Sequence, residues 1–185
     1  MTQNCRILAL TFFAALTPVL FSGCSLDDLA ADLEGNSSRY GTNKKKTQPP
    51  RVSPTRTHQV VLAGATRKNT RVVIDIGRQK AYLLVSGKVG LECPISSARS
   101  GKYTPRGTFR VTERIRTGKH STIYGVEMPY WMRLSGTVFG VHAGYLPGYP
   151  ASAGCVRLPA DAARLIYDNT GYGTQVSIVS AWSGS

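Results

Sequence analysis

VFGVHAGYLPGYPASAGCVRLP, Val138 to Pro159, places one histidine, His142, at the end of an apolar run. One cysteine, Cys155, follows beyond a loop of glycine, proline, alanine and serine. A thiolate is a good acyl-transfer nucleophile when a base or cation is close enough to take its proton. His142 and Cys155 are therefore the two halves of a candidate acyl-transfer site. The apolar run before His142 and the CVRL run from Cys155 both read as strands, rigid supports from which a side chain can be aimed. Side chains two apart on a strand share a face, so Arg157 belongs on the side of Cys155. Gly154 lets the backbone approach a substrate with no Cβ in the way. The amides of Gly154 and Cys155, or of Cys155 and Val156, are the candidate donors to a developing oxyanion. No Asp or Asn is conspicuous near His142, so a backbone carbonyl, of Ala143 or Gly144, is expected to orient the ring.

Working outward, the same period-2 patterning continues on both sides. Arg71–Ile76 and Lys80–Val85 read as strands around Gly77-Arg78-Gln79, and Ser86-Gly87-Lys88 closes a hairpin into Val89–Ile95. Gly107–Ile115, Tyr130–Leu134, Thr137–His142 and Thr174–Val179 read as further strands. One helix starts at Pro159 or Ala160, lines one face with Ala162, Leu165 and Ile166, and ends at Gly171. Many strands against one good helix predict a mainly β domain, a sandwich or barrel with one main helix after the cysteine, over residues 70–181. Residues 182–185 are a short tail.

The front of the chain is different. Ile7–Leu20 is almost wholly apolar, follows Arg6, and is shorter than the roughly 20 residues of a membrane span. Residues 1–23 therefore read as a signal peptide. Leu20-Phe21-Ser22-Gly23-Cys24 resembles a bacterial lipobox, which implies lipidation of Cys24 and a periplasmic, outer-membrane-anchored protein. The alternative is a soluble periplasmic form cut near Gly23. Residues 24–69 are rich in Ser, Thr, Pro, Lys and Arg and read as a flexible basic tether, with His58 an exposed linker residue.

The formal net charge of +13 favours anionic partners or simply solubility. Of four cysteines, Cys5 falls in the leader and Cys24 at the lipobox. Cys93 and Cys155 either pair as a disulfide in an oxidising compartment, or Cys155 is a free thiol and Cys93 a buried strand residue. Three scattered histidines and no cysteines at ligand spacing predict no metal site.

Several segments together carry a resemblance: IDIGRQKAYLLVSGK, PISSARSGKYTPRGTFRV, MPYWMRL and GVHAGYLPGYPASAGCVRLP. From Arg71 to about Ala181 the chain resembles the L,D-transpeptidase catalytic domain of bacterial cell-wall enzymes. The resemblance implies that Cys155 is the nucleophile and His142 the general base. Gly154 is then the glycine before the nucleophile, and Arg157 the basic residue two after it. Ser152, Tyr130 and Gly144 join Arg157 as candidates for substrate contact. Ala153 stands where the family usually carries a second histidine, and the loop after His142 is shorter than usual. The implied reaction is peptidoglycan cross-linking through a cysteine thioester on tetrapeptide stems, with release of D-alanine and no cofactor. Attack by water or by a protein lysine implies an L,D-carboxypeptidase or an anchoring enzyme. Loss of catalysis implies a peptidoglycan-binding lipoprotein. The expected partners are stem peptides and, through the lipid, a membrane; no nucleic acid is expected, and the protein is expected to be a monomer.

Overall fold

A computed structural model describes residues 52–184. The segments expected to be a signal peptide at 1–23, a lipidated Cys24 and a tether as far as residue 51 lie outside the described residues. Among the described residues no helix is long and apolar enough to cross a membrane.

Among the described residues nine strands form one sheet. They are β1 (Arg56–Thr57), β2 (Thr70–Asp75), β3 (Lys80–Val85), β4 (Lys88–Pro94), β5 (Gly107–Ile115), β6 (Trp131–Leu134), β7 (Gly140–Ala143), β8 (Val156–Leu158) and β9 (Gln175–Val179), in the order β1-β4-β3-β2-β9-β5-β6-β7-β8. The helices are α1 (Gln59–Ala63) and α2 (Ala160–Asn169). The β-branched run of β2 makes it a central strand, antiparallel to β3 and parallel to β9. Ser86 and Gly87, both at positive φ, form the two-residue turn between β3 and β4. Asp75 is fully buried and accepts the backbone N–H groups of Arg78 at 2.9 Å and Trp182 at 3.0 Å, which fixes the β2–β3 turn.

The long strand β5 bends the sheet. Gly107–Arg110 pairs with β9 and Val111–Ile115 with β6, and an irregularity between Val111 and Glu113 interrupts the pairing with β6. Such irregularities kink a strand and increase its twist. The curled sheet nearly closes: Ser96, just beyond β4, exchanges both backbone hydrogen bonds with Arg157 of β8, each at 3.0 Å. The core fills the inside of this curl. Ile74, Leu83, Val111, Val141, Leu158 and Ile178 meet Ala162, Ala163 and Ile166 of α2 there. Cys93 is buried in the same cluster and Cys155 is not; both are free thiols.

Residues 52–69 are more ordered than their polar composition suggests. Arg56–Thr57 pairs with Glu92 and Leu91 of β4, and His58, exposed as expected, precedes α1 and donates its N–H to the Gly90 carbonyl at 2.8 Å. Leu62 sits over Gly90, where a Cβ would come within 2.9 Å of its Cδ2. A bare glycine on β4 and one leucine are the sequence traces of this docking.

Candidate active site

Strands β7 and β8 run parallel in the register Val141↔Val156, His142↔Arg157, Ala143↔Leu158. Val141 and Val156 both point into the core, so the alternation of the pleat turns His142 and Arg157 to the opposite face. Cys155, one residue before Val156, shares that face and is a diagonal neighbour of His142, an arrangement that long and aromatic side chains can bridge. The position facing Cys155 across the ladder is Gly140, which offers no side chain to block the thiol. A Cβ at Gly140 would stand 2.5 Å from the Trp131 ring.

His142 is buried, and its Nδ1 bonds the Ala143 carbonyl at 2.7 Å. A carbonyl only accepts, so Nδ1 carries the proton and Nε2 presents its lone pair. Burial brings the imidazole down to about 4, against the pull of the Ala143 carbonyl and with help from the Arg157 charge. Burial likewise pushes the Cys155 thiol up, while the Gly140 backbone and Arg157 act in the opposite sense. The resting pair is therefore a neutral thiol beside a neutral imidazole, not a standing thiolate–imidazolium pair. The Cys93 thiol, buried in the core, is pushed up to about 12.

The turn that delivers Cys155 is braced from two sides. The Ser152 hydroxyl donates to the Cys155 carbonyl at 2.6 Å and accepts the Gly154 N–H at 3.0 Å. The Thr104 hydroxyl donates to the Gly154 carbonyl at 2.9 Å and accepts the Ala98 N–H at 3.0 Å. Gly154 has φ +144, and a Cβ there would fall 2.1 Å from the Phe139 ring, so glycine is required on two counts. Ser152 is buried and spends its hydroxyl inside the loop, so it is a brace and not a free substrate contact. The Gly154 amide is likewise engaged. Arg157 bonds Ser96 and Leu158 bonds Gly144, so the Val156 N–H between them turns toward β7. Of the amides expected to serve an oxyanion, the Cys155 N–H alone has no acceptor among the described residues.

Other candidates separate by face. Gly144 lies under the Arg157 stem; a Cβ there would be 3.2 Å from its Cγ and Cδ. Tyr130 has φ +56 and directs its ring to Tyr167 of α2, 5.8 Å between centroids, on the margin of the core and away from the thiol face. The aromatic residue that does reach the site is Trp131, with its ring centroid 6.1 Å from that of His142. Its indole N–H donates to Glu113 Oε2 at 2.6 Å, and Arg133 Nε donates to the same oxygen at 2.9 Å. The Trp131 hydrogen bond holds the Glu113 carboxyl below its ordinary range, with Lys119 and Arg133 adding to this against the cost of burial. Among the described residues no three His, Cys, Asp or Glu side chains cluster as a metal site.

Thr104 and Glu113 serve this site from outside the Val138–Pro159 stretch. Thr104 falls inside PISSARSGKYTPRGTFRV, but neither its spacing nor its type announces a contact 50 residues away. A cleft of about 480 Å³ lies against the bracing segment, lined by Ser97, Ala98, Thr104 and the cations Lys102 and Arg106.

The model of the L,D-transpeptidase catalytic domain (YkuD) matches residues 69–178. The chain belongs to this family. The L,D-transpeptidase fold is also found among solved structures. The chain is similar to an L,D-transpeptidase from Stackebrandtia nassauensis, with 20% identity, a TM-score of 0.55, and coverage of 76% of this chain and 64% of that one. It is similar to an L,D-transpeptidase from Xylanimonas cellulosilytica at 30% identity and TM-score 0.54, covering 60% of each chain. For an L,D-transpeptidase from Mycobacterium smegmatis the values are 23% and 0.55, covering 60% of this chain and 58% of that one. The chain thus spans less than two thirds of the length of these relatives. A search of curated proteins gives no match. The family match covers every strand from β2 to β9, all but the last residue of β9 included, and it contains both His142 and Cys155.

Proposed function

We propose that the protein is a peptidoglycan L,D-transpeptidase in which Cys155 is the nucleophile and His142 the general base. The observation that carries this reading is the pairing of the two on one face of adjacent strands, with Nδ1 tied to Ala143 so that Nε2 is available. His142 Nε2 takes the Cys155 proton as Sγ attacks the carbonyl carbon of the third residue of a tetrapeptide stem. The C–O electron pair moves to oxygen and meets the Cys155 N–H, a type of contact typically worth about 3 kcal/mol of barrier. The C–N bond then breaks, the imidazolium protonates the departing nitrogen, D-alanine leaves, and a thioester remains. An amine of a second stem, losing its proton to His142, attacks the thioester and expels the Cys155 sulfur, which regains the proton. A neutral resting pair suits this cycle, because charge is created only as the substrate arrives.

Arg157 supplies a planar fork for a stem carboxylate, its stem laid along Gly144. The cationic cleft beside the bracing segment suits the same carboxylates. Water in place of the amine makes the reaction a carboxypeptidase, and a protein lysine makes it an anchoring step. This reading also holds the protein in the periplasm through lipid on Cys24. Ala153 favours one competitor, a peptidoglycan-binding lipoprotein that has lost catalysis. Incubating the full chain with tetrapeptide-stem muropeptides and analysing products by mass spectrometry separates these. D-alanine release with cross-linked dimers supports transpeptidation, trimmed tripeptides alone support carboxypeptidation, and binding without turnover supports the clamp.

A further inference from the structure

A second pocket, of about 470 Å³, lies on another part of the molecule. Its lining includes Arg67, Lys68, Arg71, Arg110 and Gln175, and no acidic residue. The register of the sheet builds it. Arg71 of β2 and Arg110 of β5 are both partnered with Gln175 of β9, so the three form a row across adjacent strands on one face. At the usual strand spacing the two arginines stand roughly 10 Å apart at Cα. The loop after α2 pins the cations. Arg110 Nη1 donates to the Gly173 carbonyl at 3.0 Å, and the Arg67 stem lies against Gly171, where a Cβ would meet its Cδ at 3.0 Å. Arg71 is half-buried, and its Nε, shielded from solvent, has no hydrogen-bond partner. None of the four cations forms an ion pair with a carboxylate among the described residues.

Gathering three guanidinium groups and an ammonium without an acid is unfavourable by itself, and a buried donor left unpaired adds to the cost. An anion that accepts from several forks at once relieves both. A carboxylate has two oxygens and satisfies one fork well, whereas a phosphate group offers three or more acceptor oxygens and up to two charges. We propose that this row, Arg71–Gln175–Arg110, together with Arg67 and Lys68 of the same pocket, is a binding site for a phosphate group. The site is separate in sequence and lining from the His142–Cys155 face, and the inference stands whether or not the proposed transpeptidase reaction is correct.

Calorimetric titration of the full chain with inorganic pyrophosphate tests this, with acetate as the carboxylate comparison and phosphatidic acid vesicles as the lipid arm. Wild type should bind pyrophosphate, and acetate should not compete. The R71Q/R110Q pair should weaken binding about tenfold or more, while R56Q/R99Q, which removes the same charge outside the pocket, should leave it nearly unchanged. Arg71→Lys, which keeps the charge and removes the fork, guards against a folding artefact and should also weaken binding while the thermal melt is retained. Vesicle binding lost in R71Q/R110Q and displaced by pyrophosphate makes the phosphate a lipid headgroup; pyrophosphate binding alone makes it a soluble phosphate. Equal weakening in both pairs, equal binding of acetate, or no binding in either arm overturns the proposal.

Discussion

At the scale of single residues, charge states govern the proposed chemistry. Burial holds His142 near 4, so its imidazole stays neutral down to acidic pH. The acid limb of kcat/KM is therefore expected near pH 4 and not near 6.5, with no alkaline limb until pH exceeds the ordinary thiol value of 9.0. A pH–rate profile checks both limbs, and an acid limb near 6.5 contradicts the lowering of the His142 imidazole by burial. Glu113 acts at one remove, through Trp131. Trp131→Phe keeps a ring beside His142 but loses the N–H, and Glu113→Gln keeps an acceptor but loses the charge. Each should lower kcat several-fold with little change in KM, whereas Glu113→Ala should cost more and also shift the acid limb. A partly buried hydrogen bond to a charged acceptor is worth about 1.5–3 kcal/mol, which sets the scale of the Glu113→Ala loss.

At the scale of elements, the turn before β8 is the vulnerable part. Gly154→Ala forces a side chain into φ +144 and into the Phe139 ring. It should cost on the order of 1–3 kcal/mol in stability, read as a lower melting temperature, and remove activity with it. Thr104→Val leaves the Gly154 carbonyl and the Ala98 N–H without their partner, a loss of about 1–3 kcal/mol. Denaturant titration measures it, and an unchanged midpoint contradicts the bracing. The strands, the helix after Cys155 and the His–Cys pair were legible in the sequence because alternation and glycine punctuation are local. Which aromatic of Tyr130-Trp131 meets His142 was not. That choice depends on a left-handed residue at Tyr130 and on the register with β7, and neither leaves a local mark. Ser152 and Thr104 were hidden for a similar reason, since short hydroxyl side chains serve surfaces and braces equally well. The docking of residues 56–63 was hidden because one leucine and one glycine carry it against a polar background.

At the scale of the whole molecule, the sheet curls until Ser96 meets Arg157, so the strand that follows Cys155 is held by β7 on one edge and by Ser96 on the other. Stability should follow the buried groups. The folded value of His142 lies below its unfolded value of 6.5, so the unfolded chain binds the extra proton between the two. Stability then falls as pH drops from 6.5 toward about 4, by on the order of 3 kcal/mol. Asp75 and Glu113 are held below their ordinary values of 3.8 and 4.5, and their contributions disappear only at still lower pH. Denaturant midpoints taken across pH 3–7 should show two stages, and His142→Gln should remove the first. The proposed reaction stands or falls with a thioester on Cys155. Intact-protein mass spectrometry after brief exposure to a tetrapeptide-stem muropeptide should show an adduct lighter than the donor by one D-alanine, mapping to Cys155. That adduct should be absent from Cys155→Ala and strongly reduced in His142→Gln. An adduct that persists in Cys155→Ala, or D-alanine release that proceeds without Cys155, contradicts the account.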